Sequence, residues 1–214
     1  MYKEHQNFKL PENNEVVIWR YMDLWKFEDL LEKQSLYFST IKNMGDKFEG
    51  RIPSSIANIW IDKLIDQGYD SVADTINILK SYEPALNYNI LSWNISKHES
   101  FALWKIYTQS RKAVAIKSNV KNLKESLEIN SFHQFIGVVN YYSDPSNFDF
   151  NSNMMNLTIN KFNYYSFENE LRVLNIIPAD LKSDYPEIKK GDDILVPVDL
   201  DSLIDSIYLA PNAT

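Results

Sequence analysis

The stretch 167–177, FENELRVLNII, places the strongest constraint on how this chain can fold. Side chains alternate between the two faces of an extended strand, so Glu168, Glu170 and Arg172 are predicted to project the same way. The next two positions on that face are apolar and belong in a core: Leu174 and Ile176. The pattern therefore predicts a strand that leaves the core at the rim of a cleft, with two carboxylates and a guanidinium as a candidate reaction site.

Two interpretations of these charges stay open. A strand end at the surface would carry the same residues, and an exposed Arg–Glu pair would contribute little to stability. Partial burial, which the flanking Phe167 and Leu174 indicate, would instead favour a functional site, because carboxylates are seldom buried without a cause.

Arg20 is a further candidate, because it lies within the β-branched and aromatic stretch 15–21, which predicts a buried first strand. A buried guanidinium keeps its charge and must find a partner. An internal ion pair with a carboxylate such as Glu170 would supply one. A phosphate or carboxylate of a ligand, held by both arms of the guanidinium, would equally do so.

Composition excludes several classes of function. The chain has 214 residues, of which 44% are hydrophobic and 14% aromatic, which is enough for one substantial core. Only 5 Gly are present, and neither GxGxxG nor a GxxxxGKS or GxxxxGKT motif occurs, which argues against glycine-loop dinucleotide and nucleoside-triphosphate folds. The net charge of −7 argues against bulk non-specific nucleic-acid binding. With no Cys and 3 scattered His, no metal site is expected.

The polar start of the chain, residues 1–7, lacks the apolar run of a signal peptide. No stretch approaches the roughly 18 apolar residues that a membrane-spanning helix needs. We therefore expect a cytoplasmic protein that makes no membrane contact.

Hydrophobic periodicity predicts strands and helices intermixed along the chain, with no internal repeat and no separating linker. Strands are predicted over residues 15–21, 35–40, 89–96, 112–117, 135–142, 167–177, 194–198 and 207–209. Helices are predicted over 25–33 behind an Asp23 cap, over 53–68, after Asp70, over 99–110 and over 120–127, with a long surface loop over 144–160. This mixture predicts a single α+β domain over residues 1–214.

The second predicted strand has one apolar and one polar face. Leu36 and Phe38 are predicted core, whereas Tyr37 and Ser39 share the opposite face. A tyrosine beside a cleft can stack a heteroaromatic ring, although half-buried strand packing is the more common role.

Four further residues are candidates for the surroundings of a site. Asp46 and Glu49 lie in the turn-like stretch 43–50 and would suit a metal or a ribose hydroxyl, but such a loop is more often only solvated. Trp93 and Trp104 are predicted mainly as core, with a place behind the site as the alternative.

Five short motifs resemble an uncharacterised bacterial domain family, whose members have YRY, LYFS, NDPFE, a helical W..Y and YE.E.R in that order. The motifs lie at residues 19–21, 36–39, 43–49, 104–107 and 167–172. The resemblance spans most of the chain, with Lys47 where that family usually has Pro. The chain ends at Thr214, where members of the family tend to continue, so we expect a shortened form.

That family is similar in layout to ADP-ribosyltransferase-like proteins, which include abortive-infection and toxin proteins of bacteria. The resemblance implies a mixed, split β-sheet with inserted helices, and NAD as cofactor. By position it implies that Arg20 holds the NAD diphosphate or ribose and that Tyr37 packs the nicotinamide. Glu170 would be the catalytic carboxylate, and Glu168 would align the acceptor. The other cofactor-binding positions that it implies are Tyr21, Ser39 and Arg172.

The implied activity is transfer of ADP-ribose from NAD to a macromolecular acceptor, protein or nucleic acid, by a toxin or anti-phage defence component that a partner protein would neutralise. A non-catalytic sensor or partner-binding module on the same scaffold stays open as an alternative, since the many Tyr and Trp residues suit an interaction surface. A metal-dependent nuclease using Asp46, Glu168 and Glu170 is a third hypothesis. It is the least favoured, because no Lys follows two residues after the Glu-Asn-Glu and Arg172 is a poor general base.

Overall fold

An eight-stranded antiparallel sheet forms the centre of the computed structural model. The structure describes residues 1–44, 49–52, 87–144, 153–189, 191–211 and 213, with the single positions 57, 58, 61, 62, 65 and 77. The strands of this sheet are β1 (Val17–Asp23), β2 (Ser35–Thr40), β3 (Asn89–Ile95), β4 (Ala113–Asn119), β5 (His133–Val138), β8 (Glu170–Ile176), β9 (Ile194–Pro197) and β10 (Ser206–Leu209). Two short strands, β6 (Asn140–Tyr142) and β7 (Asn160–Phe162), form a separate parallel pair.

The sheet is split on one edge of β3. Strand β8 pairs with β3 along one edge, from Asn89 to Asn94. The other edge is shared between two strands, because β2 pairs with Asn89 and Ile90 while β1 pairs with Asn94 and Ile95. Strands β1 and β2 therefore diverge, and the middle of β3 borders the opening between them. Beyond the split, β4 and β10 continue from β1, β9 continues from β2, and β5 continues from β8.

These pairings confirm the predicted α+β class and a single domain. The expectation of a sheet with both strand directions is wrong for the large sheet, where each pair of strands is antiparallel. Among the named strands of the described residues, parallel pairing is confined to β6 and β7. The apolar pattern of one strand carries no information about the direction of its neighbour, so this difference could not be anticipated from the sequence.

Four α-helices lie among the described residues: α1 (Leu24–Lys33), α2 (Phe101–Tyr107), α3 (Val120–Ser126) and α4 (Leu200–Leu203). Asp23 precedes α1 as predicted, but its carboxylate makes no cap hydrogen bond. It accepts instead from the backbone N–H groups of Gln109 and Ser110, at 2.9 and 3.0 Å, in the segment after α2. The predicted helix over 53–68 and the one after Asp70 lie outside the described residues, apart from the single positions named above.

Strand β8 begins at Glu170, whereas the predicted alternation of side chains began two residues earlier, at Glu168. Glu168 ends a 3-10 helix, Asn163–Glu168, and Asn169 follows with a left-handed φ of 38°. The prediction that Glu168 shares the strand face of Glu170 is therefore wrong, because a turn separates them. Leu174 lies in a hydrophobic cluster of buried residues that includes Phe8 and Ile41, and Ile176 packs against this cluster, as the alternation predicted.

Two other predicted segments contain different secondary structure from that expected. The strand predicted over 135–142 is two strands, β5 and β6, which Val139 separates by donating its backbone N–H to the Glu170 carbonyl at 2.9 Å. Within the predicted loop over 144–160, a 3-10 helix occupies Met154–Thr158.

Candidate functional site

A cavity of about 360 Å³ opens where β1 and β2 diverge from β3. Its walls come from β1, β2, β3, β7 and α2, and from the turn that leads into β8. The chemically relevant side chains that line it are Arg20, Tyr37, Tyr107, Lys161, Glu168 and Glu170. The early guanidinium and the late carboxylates, which are about 150 positions apart in the sequence, therefore line one cavity.

Arg172 lies behind this wall, with 0% of its surface exposed. Its Nε and Nη2 donate to the two oxygens of Glu170 at 2.7 and 2.9 Å, and Nη1 donates to the Thr158 carbonyl at 2.5 Å. Nη2 also contacts the carboxylate of Glu49. Protein groups therefore bind every arm of the Arg172 guanidinium. Arg172 supports the cavity wall from behind and does not lie at the cleft rim that the sequence predicted.

Lys161 contributes to this site although the sequence pattern did not indicate it. Its Nζ lies 2.6 Å from Glu168 Oε2, 3.3 Å from Glu170 Oε2 and 4.0 Å from Glu49 Oε2. The ammonium is buried and also lies 4.6 Å from the centre of the Tyr165 ring. Three carboxylates against the two cations Lys161 and Arg172 leave this buried cluster with one formal negative charge.

The two glutamates of the Glu-x-Glu pair differ in how fully their oxygens are used. Glu170 accepts four hydrogen bonds, from Ser92 Oγ, from Lys161 and twice from Arg172. Four is about the number that a carboxylate can accept. Glu168 accepts two, from Tyr107 Oη at 2.8 Å and from Lys161 at 2.6 Å. Each oxygen of Glu168 therefore keeps capacity to accept from a ligand.

The environment fixes the protonation of the cluster. Burial by itself would raise the pKa of Glu170, but the charges of Arg172 and Lys161 outweigh it and hold that pKa well below 4.5. Burial would lower the pKa of Lys161, yet attraction to Glu170 and Glu49 raises it above its usual range. Burial, reinforced by the charge of Glu168, raises the pKa of Tyr107, so its hydroxyl stays protonated as a donor.

Arg20 is not paired with Glu170. Its Nη1 donates to the Ser92 carbonyl at 2.7 Å, and within the described part of the chain it forms no salt bridge. Burial lowers the pKa of Arg20 to about 10, which leaves it charged at neutral pH. Of the two partners that the sequence left open for Arg20, the ion pair with Glu170 is therefore absent. Ser92 contacts both residues, because its carbonyl accepts from Arg20 and its hydroxyl donates to Glu170.

Tyr37 and Ser39 face the cavity side of β2, while Leu36 and Phe38 are buried, as the alternation predicted. Tyr37 is 52% exposed, and its hydroxyl donates to Asp193. Burial and this hydrogen bond raise the pKa of Tyr37 to about 12. Asp193 also accepts from the Thr40 backbone N–H at 2.6 Å, so it fixes Tyr37 at the cavity mouth.

The remaining candidates differ in where they lie. Tyr21 is buried against Trp104, at 5.1 Å between ring centres, and its hydroxyl accepts from the Ser100 backbone N–H at 2.8 Å. Trp93 and Trp104 belong to the core, as predicted. Glu49 is buried against Arg172, whereas Asp46 lies outside the described residues.

Comparison with protein-family models, with curated protein sequences and with solved structures found no match. No helix in the described ranges is both long and apolar enough to cross a membrane. Within the same ranges, no group of three or more His, Asp or Glu side chains is arranged to hold a metal ion.

Replacing Lys161 with Met should strongly destabilise the fold, because it leaves the buried carboxylates of Glu168, Glu170 and Glu49 with one cation instead of two. Breaking a buried ion pair from one side typically costs about 3–5 kcal/mol of unfolding free energy. Urea unfolding followed by circular dichroism measures the loss. The exposed Lys121→Met should stay within about 0.5 kcal/mol of the parent. A loss below about 1 kcal/mol for Lys161→Met would show that the cluster is not closed to water.

The lowered pKa of Glu170 predicts a specific dependence on acid. Because the folded state binds this proton more weakly than the unfolded chain does, the stabilisation is complete above pH 4.5 and is lost as the pH falls towards the lowered pKa. In an NMR titration of protein labelled with carbon-13, the Glu170 carboxyl signal should remain that of a carboxylate below pH 4.5. A midpoint at or above 4.5 would contradict the ion-pair assignment.

Proposed function

We propose that this cavity binds NAD, and that the protein cleaves the bond between nicotinamide and ribose and transfers ADP-ribose to a macromolecular acceptor. The observation that carries the proposal is that a guanidinium with no carboxylate partner among the described residues, Arg20, lines one cavity together with Glu168 and Glu170. The resemblance of the sequence to domains of toxin and defence proteins favours a toxin or anti-phage role for such an activity.

The chemistry requires a negative group beside the ribose. When the bond from C1′ to the nicotinamide nitrogen breaks, both electrons leave with the neutral nicotinamide and C1′ becomes oxocarbenium-like. The acceptor then donates a lone pair to C1′ and gives up its proton to solvent or a base. A carboxylate that accepts a hydrogen bond from the 2′-hydroxyl stabilises the positive charge as it develops, as in glycoside cleavage.

Glu168 suits the direct contact better than Glu170. Its oxygens have two donors between them, and 11% of its side chain is exposed, against four donors and 3% for Glu170. We therefore assign roles that differ from those that the resemblance implies. Glu168 accepts a hydrogen bond from the ribose. Glu170, held by Arg172, keeps Ser92 and Lys161 in position.

Arg20 and Tyr37 each suit a different part of NAD. Arg20 has N–H donors beyond the one that the Ser92 carbonyl accepts, so it suits the diphosphate. The half-exposed ring of Tyr37 lies at the cavity mouth and suits packing against the nicotinamide. Ser39 and Tyr21 line the same cavity beside them, where Ser39 offers a hydroxyl.

One feature of the cavity favours the nuclease hypothesis and another disfavours it. Lys161 supplies, from elsewhere in the chain, the amine that the Glu-Asn-Glu stretch lacks. However, Lys161 and Arg172 already donate to both oxygens of Glu170 and to one oxygen of Glu168, which a divalent cation would need as ligands. The donor set therefore favours NAD cleavage over metal-assisted phosphodiester cleavage.

Incubating the purified protein with NAD and bacterial cell extract should release nicotinamide, which chromatography quantifies. Glu168→Gln keeps the size of the side chain and one accepting oxygen but removes the negative charge, so release should fall at least about a hundredfold. Exposed Glu125→Gln is the matched control and should keep the parent rate. Circular dichroism of each variant separates lost chemistry from lost folding.

Three outcomes would contradict the proposal. Release by Glu168→Gln at the parent rate would remove the carboxylate from the reaction. Failure to bind NAD, together with a stable complex in a pull-down, would favour the non-catalytic partner-binding module. Magnesium-dependent cutting of DNA or RNA without nicotinamide release would favour the nuclease.

A further inference from the structure

A second cavity, of about 580 Å³, adjoins the first and is lined by residues of β1, α1, β2 and β9. The residues that line both cavities are Arg20, Met22, Lys26 and Tyr37. The two cavities are thus neighbouring compartments of one groove, and these four side chains form the junction between them.

The junction carries two cations that lack carboxylate partners. Within the described ranges, neither Arg20 nor Lys26 forms a salt bridge. The other lysine of the second cavity, Lys33, is already paired with Asp29 at 2.6 Å. Asp193, the remaining carboxylate there, accepts from Tyr37 and from the Thr40 backbone. The positive charge available to a ligand therefore lies at the junction.

Beyond the junction, the wall of the second cavity is aromatic and apolar. Trp25, in the first turn of α1, lines it with 63% of its surface exposed. The Lys26 ammonium lies 5.4 Å from the centre of the Trp25 ring. Leu36 and Leu195 add apolar wall to the same cavity. The exposed part of this indole is a typical stacking surface for a purine, because every base presents a π-face.

Along the groove, carboxylates are followed by two cations and then by an exposed indole. We propose that the second cavity binds the adenosine half of NAD, with Trp25 stacking on adenine and Lys26 joining Arg20 on the diphosphate. This inference rests on the proposed function. The same order occurs in the ligand, where the nicotinamide ribose needs a carboxylate, the diphosphate needs cations and the adenine needs a flat apolar surface.

Calorimetric titration with ADP-ribose and with nicotinamide mononucleotide tests each compartment separately, because the two ligands share only a ribose phosphate. Trp25→Ala should raise the Kd for ADP-ribose about tenfold and leave that for nicotinamide mononucleotide unchanged. Lys26→Gln should raise the Kd for ADP-ribose severalfold. Phe101→Ala, at an aromatic residue that is 59% exposed elsewhere on the surface, is the control and should change neither.

The possible results separate this inference from the proposed function. If Trp25→Ala leaves ADP-ribose binding unchanged while the parent protein releases nicotinamide from NAD, the adenosine assignment is wrong and the proposed function stands. If Trp25→Ala weakens both ligands equally, Trp25 acts on the nicotinamide compartment and the assignment is again wrong. If the parent protein binds neither ligand and releases no nicotinamide, both proposals fail.

Discussion

The buried guanidinium of Arg172 is the interaction on which the candidate site depends. It clamps Glu170 through two hydrogen bonds, contacts Glu49 and donates to the Thr158 carbonyl. A charge with 0% exposure is tolerated only where such partners replace water. The clamp therefore ties β8 to the segments before β3 and β7, and Lys161 extends it to Glu168. The result is a wall of fixed carboxylates at the edge of a cavity.

This arrangement resolves the ambiguity of a charged strand end. Glu170 and Arg172 are buried and fully paired, so they hold Ser92 and Lys161 in position. Glu168 accepts only two hydrogen bonds and can still accept from a ligand. The split between β1 and β2 places Arg20 at the same cavity, where it donates to the Ser92 carbonyl and forms no salt bridge with any residue that the structure describes. Carboxylates line one cavity, two cations lie at the junction and an exposed indole lines the other cavity, and this distribution supports the proposal that the ligand is NAD.

Much of this could be predicted, for physical reasons specific to each residue. The alternation of Leu36, Tyr37, Phe38 and Ser39 predicts their faces correctly, because the strand period is two. The same period assigns Glu168 wrongly to the strand. Glu168 ends a 3-10 helix, and it lies near Glu170 because of the turn at Asn169 and not because of strand alternation.

Sequence periodicity could not indicate that Lys161 and Asp193 belong to the site. Lys161 lies in a strand of three residues, Asn160–Phe162, which is too short to show periodicity. Asp193 meets Tyr37 across 156 positions of the sequence, and a contact of that range depends on the tertiary fold alone. The pairing of β2 with β9, which brings Asp193 to Tyr37, likewise leaves no signal in either strand.

A crystal structure of the Glu168→Gln variant soaked with NAD would show whether residue 168 and Arg20 contact the same dinucleotide. We expect electron density for NAD along the groove, with the 2′-hydroxyl of the nicotinamide ribose within hydrogen-bonding distance of residue 168 and the diphosphate in contact with Arg20. NAD bound elsewhere, or a groove that stays free of ligand at saturating NAD, would contradict it.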